Sequence, residues 1–537
     1  PISASGGWDR KGYYCLQRLG GYSLNNDFML SADHQLGDFN IDGFIGGTVY
    51  YWKSDNIMGE TQNGLTIPGY YSLKGSIDNV KTTSGVTKKL VNSLYGKVSA
   101  SWKSTVFVDI TGRNDWSSTL PKETRSYFYP SVAGSVVLSQ FIPMPEVFDF
   151  WKVRGSWTQT KSDLSVYETN NAFSISNNLF NGSSAAYYPT SIRGVSVLPS
   201  ATRSYELGTA VNLFKNRLKV DFTYYNKLYY NLTRQAGISE ASGFGSTLIN
   251  IDEEQLRKGF EITLSGDIIR TKDWNWNSMF NWSRDRYYYS QVDPVYSTQK
   301  PWVKAGERWD WYGVYDWERD PEGNIIHEAG YPVLSKYESV AGYESPDWIW
   351  GWSNSISYKN FTLNFTFDGR VGGIMHSQTD QAMWNSGAHI DSDNQWRYDE
   401  VVNGKTNFIG TGVKVVSGSV DYDSDGNIIR DDRVFAPNDV QVSYETYMST
   451  MNPYIGSVRR QNVLRQTFFK LRDLSLAYQV PKQICQKIRM QGMSVAFVGQ
   501  NLLIWTKDFR FSDPDRASDK LNSPSCRYVG FNVKLDF

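Results

Sequence analysis

Cysteine and histidine are scarce in this chain and long apolar runs are missing, and each shortage removes a class of protein. Three cysteines in 537 residues (Cys15, Cys485, Cys526) are too few and too scattered for a disulfide framework. None stands in a CxxC pair, so neither a zinc ribbon nor a thioredoxin-type redox site is supported, and the redox compartment stays open. No stretch of 18 apolar residues occurs, and the uncharged run from Ser126 to Pro145 is broken by Pro130, Pro143 and several serines. A transmembrane helix is therefore not expected. Pro1 to Ser5 carry neither the basic nor the apolar region of a signal peptide, which for an exported protein would put the front of the precursor outside this sequence. Charge of one sign is lacking too. Lysine and arginine total 55 and aspartate and glutamate 55, so the chain has no basic field to recruit nucleic acid.

Catalytic signatures are equally thin. The four histidines (His34, His327, His376, His389) form no HExxH arrangement, and there is no GxSxG elbow and no glycine loop set between a strand and a helix to hold phosphate. Asp320 and Glu322 resemble a glycosidase acid/base pair only in composition, since nothing places them across a cleft. The chain does not read as an enzyme.

What is abundant is aromatic side chain, 15% of residues with 19 Trp and 35 Tyr, set in a period of two. Phe361, Leu363, Phe365 and Phe367 alternate with Thr362, Asn364, Thr366 and Asp368. Leu218, Val220, Phe222 and Tyr224 do the same against Lys219, Asp221 and Thr223. Such spacing gives a strand with one apolar and one wet face. About sixteen segments fit the strand template. They lie near 8–17, 22–36, 39–52, 91–102, 105–113, 127–140, 150–161, 203–214, 217–231, 258–270, 274–287, 350–358, 361–370, 466–479, 493–504 and 528–537.

The connections alternate between two kinds. Short ones are expected at 37–38, 103–104, 215–216, 271–273 and 359–360, with slightly longer links near 141–149 and 480–492. Long ones are expected at 53–90, 162–202, 232–257, 288–349, 371–465 and 505–527. Tight turns on one side and long loops on the other are the layout of an all-β, antiparallel, up-and-down transmembrane barrel. Trp and Tyr near strand ends (Tyr50, Tyr51, Trp52; Trp274, Trp276, Trp282; Trp348, Trp350, Trp352) suit the aromatic girdles of such a barrel. The closing strand, with Val529, Phe531, Val533, Leu535 and Phe537 at every second place, ends as bacterial outer-membrane barrels commonly do.

Several stretches, in order, give the chain a family resemblance. "WKVRGSWTQT" at 151–160, "SYELGTAVNLFKNRLKVDFTYYNKLYYNL" at 204–232, "GRVGGIMHSQTDQAMWNSG" at 369–387, "LRDLSLAYQVP" at 471–481 and "VGQNLLIWTKDFRFSDPD" at 498–515 resemble the C-terminal half of SusC-like (RagA/SusC) TonB-dependent transporters of Bacteroidetes. The resemblance implies that residues 1–537 are the C-terminal part of a barrel of about 22 strands, with the plug, the N-terminal accessory domain and the first strands lying elsewhere. It implies a location in the bacterial outer membrane, in contact with lipid. It further implies import of an oligomeric nutrient, an oligosaccharide first and an oligopeptide second, with a SusD-like surface lipoprotein and with TonB acting on the missing part. Rival readings are a passive porin or adhesin-like barrel, and a secreted glycan-binding or glycan-cleaving β-protein.

Two groups of residues are candidate sites. Sugar rings stack on aromatics while their hydroxyls seek charged groups. Trp302, Trp309, Trp311, Tyr312 and Trp317 beside Arg308 and Asp310 supply both, as do Trp384 and Trp396 with Arg397. The plain alternative is that these aromatics hold the loops together or meet the lipoprotein. The loop "DYDSDGNIIRDD" at 421–432 places Asp421, Asp423, Asp425 and Asp432 at calcium-ligand spacing around Gly426, although aspartate replaces the bidentate glutamate expected at the last place. Its alternative is a solvated acidic turn. No cofactor is required beyond this candidate Ca2+.

Overall fold

The computed structural model describes residues 12–193, 196–453, 459–521 and 525–537, with only the backbone described at 177–180. Fifteen strands form one sheet in simple sequence order, each antiparallel to the next. They are β1 Cys15–Leu36, β2 Phe39–Leu65, β3 Ser76–Trp102, β4 Val106–Ser117, β5 Ser126–Val137, β6 Phe148–Ser162, β7 Ser200–Leu213, β8 Leu218–Tyr230, β9 Glu254–Arg270, β10 Trp274–Gln291, β11 Trp348–Tyr358, β12 Phe361–Val371, β13 Phe468–Gln479, β14 Gly492–Thr506 and β15 Tyr528–Asp536. This is the meander of a transmembrane up-and-down barrel wall.

Two expectations need correction. The segments expected at 8–17 and 22–36 are not separate strands, because residues 15–36 run on as β1; residues 8–11 lie outside the described part. The wall therefore has fifteen strands where the periodicity suggests sixteen. The long loop expected at 53–90 is mostly strand as well. β2 and β3 each run 27 residues and meet at a tip around 66–75. At about 3.3 Å per residue that is roughly 90 Å, far beyond an apolar band of about 25 Å. Strand outside lipid has no need of an apolar face, and Ser54, Asp55, Asn56, Thr82, Thr83 and Ser84 show no alternation to reveal it.

Register sorts the wall into two faces. Ala100, Val108, Gly134, Gly155, Leu207 and Tyr224 stand opposite one another on successive strands. The neighbouring row runs through Ser99, Asp109, Ala133, Ser156, Glu206 and Tyr225. Leu207 and Ile110 are 63% and 53% exposed, an apolar surface that water would not tolerate but lipid requires. The wet face is tied across strands by Lys97–Asp109 (3.0 Å) and by two parallel contacts of Arg154 on Asp221 (2.9 and 2.8 Å). Trp276, Trp282, Trp350 and Trp352 all project from the apolar face. Trp274 and Trp282 stand about eight residues apart on β10, close to the height of the apolar band.

The long connections carry their own small structures. Within 372–467, strands Ile374–His376 and Val463–Arg465 pair at the neck, and α1 Gln378–Asn385, α2 Gln395–Asn403 and α3 Tyr444–Met451 fold above it. Each of these helices starts at a side-chain cap: Ser377, Asn394 and Ser443 accept from the N–H three residues on. Leu120, Leu164, Val197 and Leu248 draw three connections and Tyr127 of β5 into a shared apolar cluster.

Candidate functional site

The strand ends below the largest loops carry a charged cluster that alternation alone does not reveal. On the wet face, Asp368 and Arg370 of β12 pair in register with Lys470 and Phe468 of β13. Arg472 is the extra residue of a bulge, since the pairing jumps from Thr366–Asp473 to Phe367–Leu471. That turn of the backbone lets its guanidinium donate to Asp368 (3.1 Å) and to Asp515 of the 507–527 loop (2.7 Å). Lys470, only 3% exposed at its side chain, donates to Asp513 (2.7 Å) and Asp515 (3.0 Å). Burial opposes ionisation of Asp513, but hydrogen bonds from Lys470 and Ser525 outweigh it and hold the carboxyl below its usual value. The loop is strapped to the wall by these ties. Beside them opens a cavity of about 460 Å³ lined by Glu261, Asp368, Arg370 and Asp515 together with Ile349, Trp350 and Phe468, a mixture of charged and apolar groups.

The aromatic run at 302–317 lies against the wall rather than open to solvent. Trp302 and Trp311 meet edge to face (5.4 Å), Trp309 packs on Tyr287 of β10 (5.0 Å), and the Trp311 indole donates to Tyr289 (3.3 Å). Arg308 donates to Asp310 (2.8 Å) while lying 3.9 Å over the Tyr343 ring. Trp317 is buried and donates to Gln461 (3.2 Å), joining this loop to the next. The indole N–H groups of Trp302 and Trp309 are buried without a protein acceptor. Tyr312 sits in the same hairpin, where burial raises its phenol. The structure brings Trp302, Arg308, Trp309 and Trp311 together and sets Trp317 apart.

In the next loop, Trp384 stacks on His389 (4.0 Å), whose other side meets Phe511 edge-on (5.0 Å). His389 also stands 3.3 Å from Asp380, whose carboxyl is raised by burial. Arg397 donates to the Gly387 carbonyl (2.6 Å) and to Ser392 (3.0 Å). With Trp384, Glu400 and Tyr444 it lines a cavity of about 200 Å³ between the helices. Trp396 of α2, 44% exposed, packs edge to face on Phe408 (5.8 Å), while Tyr398, Val401 and Val402 are exposed on the opposite side of the helix.

The acidic loop is a hairpin, Val420–Tyr422 against Ile428–Asp431. Arg430 donates to Asp421 (2.8 Å) and Asp432 (3.3 Å), while Asp423 accepts from the N–H groups of Asp425 (2.9 Å) and Asn427 (2.8 Å). Asp320 makes the same turn with Glu322 (3.0 Å) and Asn324 (2.7 Å), which explains why the Asp320–Glu322 pair faces no cleft. Among the described residues no group of three or more His, Cys, Asp or Glu side chains is arranged to hold a metal ion.

No protein-family model matches the chain. Two proteins of Formosa agariphila are similar to it: TonB-dependent receptor P3, 24% identical over 510 residues (87% of this chain and 46% of that protein), and TonB-dependent receptor P26, 23% identical over 552 residues (95% and 51%). The chain thus spans about half the length of the curated relatives it matches. Among solved structures, the RagAB peptide transporter shares the fold with a TM-score of 0.73 at 17% identity, covering 98% of this chain and 56% of that one.

Proposed function

We propose that the chain belongs to the SusC-like TonB-dependent receptors of the outer membrane, to which its relatives and fold are similar, and that it forms a large part of the wall and the rim loops of an importer for oligomeric nutrients. The observation that carries this is the one-sided build: long loops at one rim, with the 507–527 loop strapped to the wet face by Lys470 and Arg472 beside a cavity that holds charged groups. The rest of the protein would supply the plug and the contact with TonB, and the chain's part is to bind and pass cargo rather than to cut it.

The cargo of the first reading is an oligosaccharide, met by Trp396 and by the groups lining the cavity. A second reading, an oligopeptide, is favoured by the fold shared with the RagAB peptide transporter. We assign a SusD-like lipoprotein to the long-loop rim, where Tyr398, Val401 and Val402 leave an apolar patch on α2. The test is to purify the full-length protein from its native membrane with whatever it holds, identify the co-purifying protein and cargo by mass spectrometry, and repeat with Trp396→Ala and with Val402→Glu. A stoichiometric lipoprotein, reduced by Val402→Glu, and an oligosaccharide, reduced by Trp396→Ala, support the first reading. A bound peptide moves the assignment to the second. Recovery without a partner and without coupling to TonB would return the porin reading.

A further inference from the structure

The molecule is neutral as a whole, but its charge is divided between the two ends of the wall. The seven short connections hold eight lysines and arginines against three carboxylates. The two largest long connections, 292–347 and 372–467, hold 23 carboxylates against 13 lysines and arginines. All eight cations of the short connections are exposed.

Their placement is tied to the lipid-facing side. Lys103 lies 5.2 Å over the ring of Trp102, an outward residue that stacks on Phe141 (5.9 Å). Lys359 lies 5.2 Å over Tyr358, which packs against Trp274 (4.3 Å) on the same apolar face. In the 480–491 connection, the short helix α4 Lys482–Lys487 buries Cys485 and turns Ile484 and Ile488 outward, each 50% exposed, among Lys482, Lys487 and Arg489. Phe214 is similarly exposed beside Lys215. Exposed apolar groups next to cations, continuous with a lipid-facing wall, match the depth at which acyl chains give way to headgroups. Lys103 has a carboxylate partner in Asp38 (3.3 Å), whereas among the described contacts the Nζ groups of Lys272, Lys359, Lys482 and Lys487 have none.

We propose that the short-connection rim is a binding collar for anionic phospholipid headgroups, the phosphates of the periplasmic leaflet, held by lysines that rest on an outward aromatic belt. This rests on the reading that the short connections face the periplasm. The long-loop rim, rich in carboxylates, offers lipid phosphates no such surface. Anionic headgroups attract each added cation at the surface, and the attraction is weakened by salt.

The experiment uses the full-length protein in nanodiscs of phosphatidylethanolamine doped with phosphatidylglycerol, with retained lipid counted by native mass spectrometry. Lys272→Gln, Lys359→Gln, Lys482→Gln and Lys487→Gln together should lower retained phosphatidylglycerol by roughly tenfold, while the same four changed to arginine should keep it. Unchanged retention in the glutamine variant would overturn the collar. So would retention of lipid A in preference to phosphatidylglycerol by the wild type. Loss in both variants would mean that these positions act through the fold, and would overturn it as well. The orientation is checked separately: Lys359→Cys, made together with Cys15→Ser and Cys526→Ser to remove native thiols, should resist an impermeant maleimide on intact cells, and labelling there would overturn the periplasmic reading whatever the lipid count.

Discussion

Lys470 lies almost wholly out of solvent on the wet face of β13, where Asp513 and Asp515 of the 507–527 loop accept from its ammonium. Lys470→Met would leave the buried Asp513 carboxylate without its counter-charge, at a cost of about 3–5 kcal/mol. The same tie sets a pH dependence. Because the Asp513 carboxyl is held below the usual value, near 4, its contribution is complete above that value and is lost as pH falls through the lower folded value. Protection of residues 507–521 against hydrogen exchange, taken relative to the unstructured rate at each pH, should therefore fall as the solution is acidified below about pH 4, and Asp513→Asn should show the lower protection already at neutral pH. Protection that does not change with pH in the wild type would remove Asp513 from this role. Residue types did not disclose the cluster. Arg472 reaches Asp368 only because a bulge turns it, and a bulge has no period to read. The tryptophans and arginines proposed for cargo were visible as a group. What sequence could not say is that Trp309 packs on Tyr287 and that the Trp311 indole N–H donates to Tyr289.

Elements were legible wherever one face meets lipid and the other water, because only there does alternation have a cause. β8, β12 and β14 lie within a few residues of expectation, while the outer halves of β2 and β3, polar on both faces, were mistaken for a loop. The hairpin at 420–431 shows a different limit. Its aspartates have ligand spacing, but spacing does not show that Arg430 already sits between Asp421 and Asp432. Calcium would have to displace that guanidinium. Arg430→Gln should accordingly raise the calcium affinity of the full-length protein at this hairpin by several-fold, read by calorimetry. No calcium binding in either form would retire the site.

At the scale of the whole molecule, the short–long alternation carried the architecture, because a barrel alone gives a reason for tight turns at one rim and long loops at the other. The lipid-facing side of that architecture can be probed at Leu207, which stands in an apolar row on β7 with more than half its surface exposed. Leu207→Arg should destabilise the membrane-inserted state by about 2–4 kcal/mol. Reversible unfolding of the full-length protein in lipid vesicles measures this. A neutral result would place the row outside the bilayer.

The neck of the 372–467 loop has one more consequence. Ile374–His376 and Val463–Arg465 hold the two ends of a long excursion side by side, and the Ser377 N–H closes on Asn462 (2.8 Å) just above them. A stretch whose ends are already joined is a cassette: what lies between can be exchanged for another sequence without asking the wall to change. Diversity at the rim then comes to a lineage on a cylinder that keeps its register, with the 292–347 and 372–467 loops, which share a small sheet, changing together.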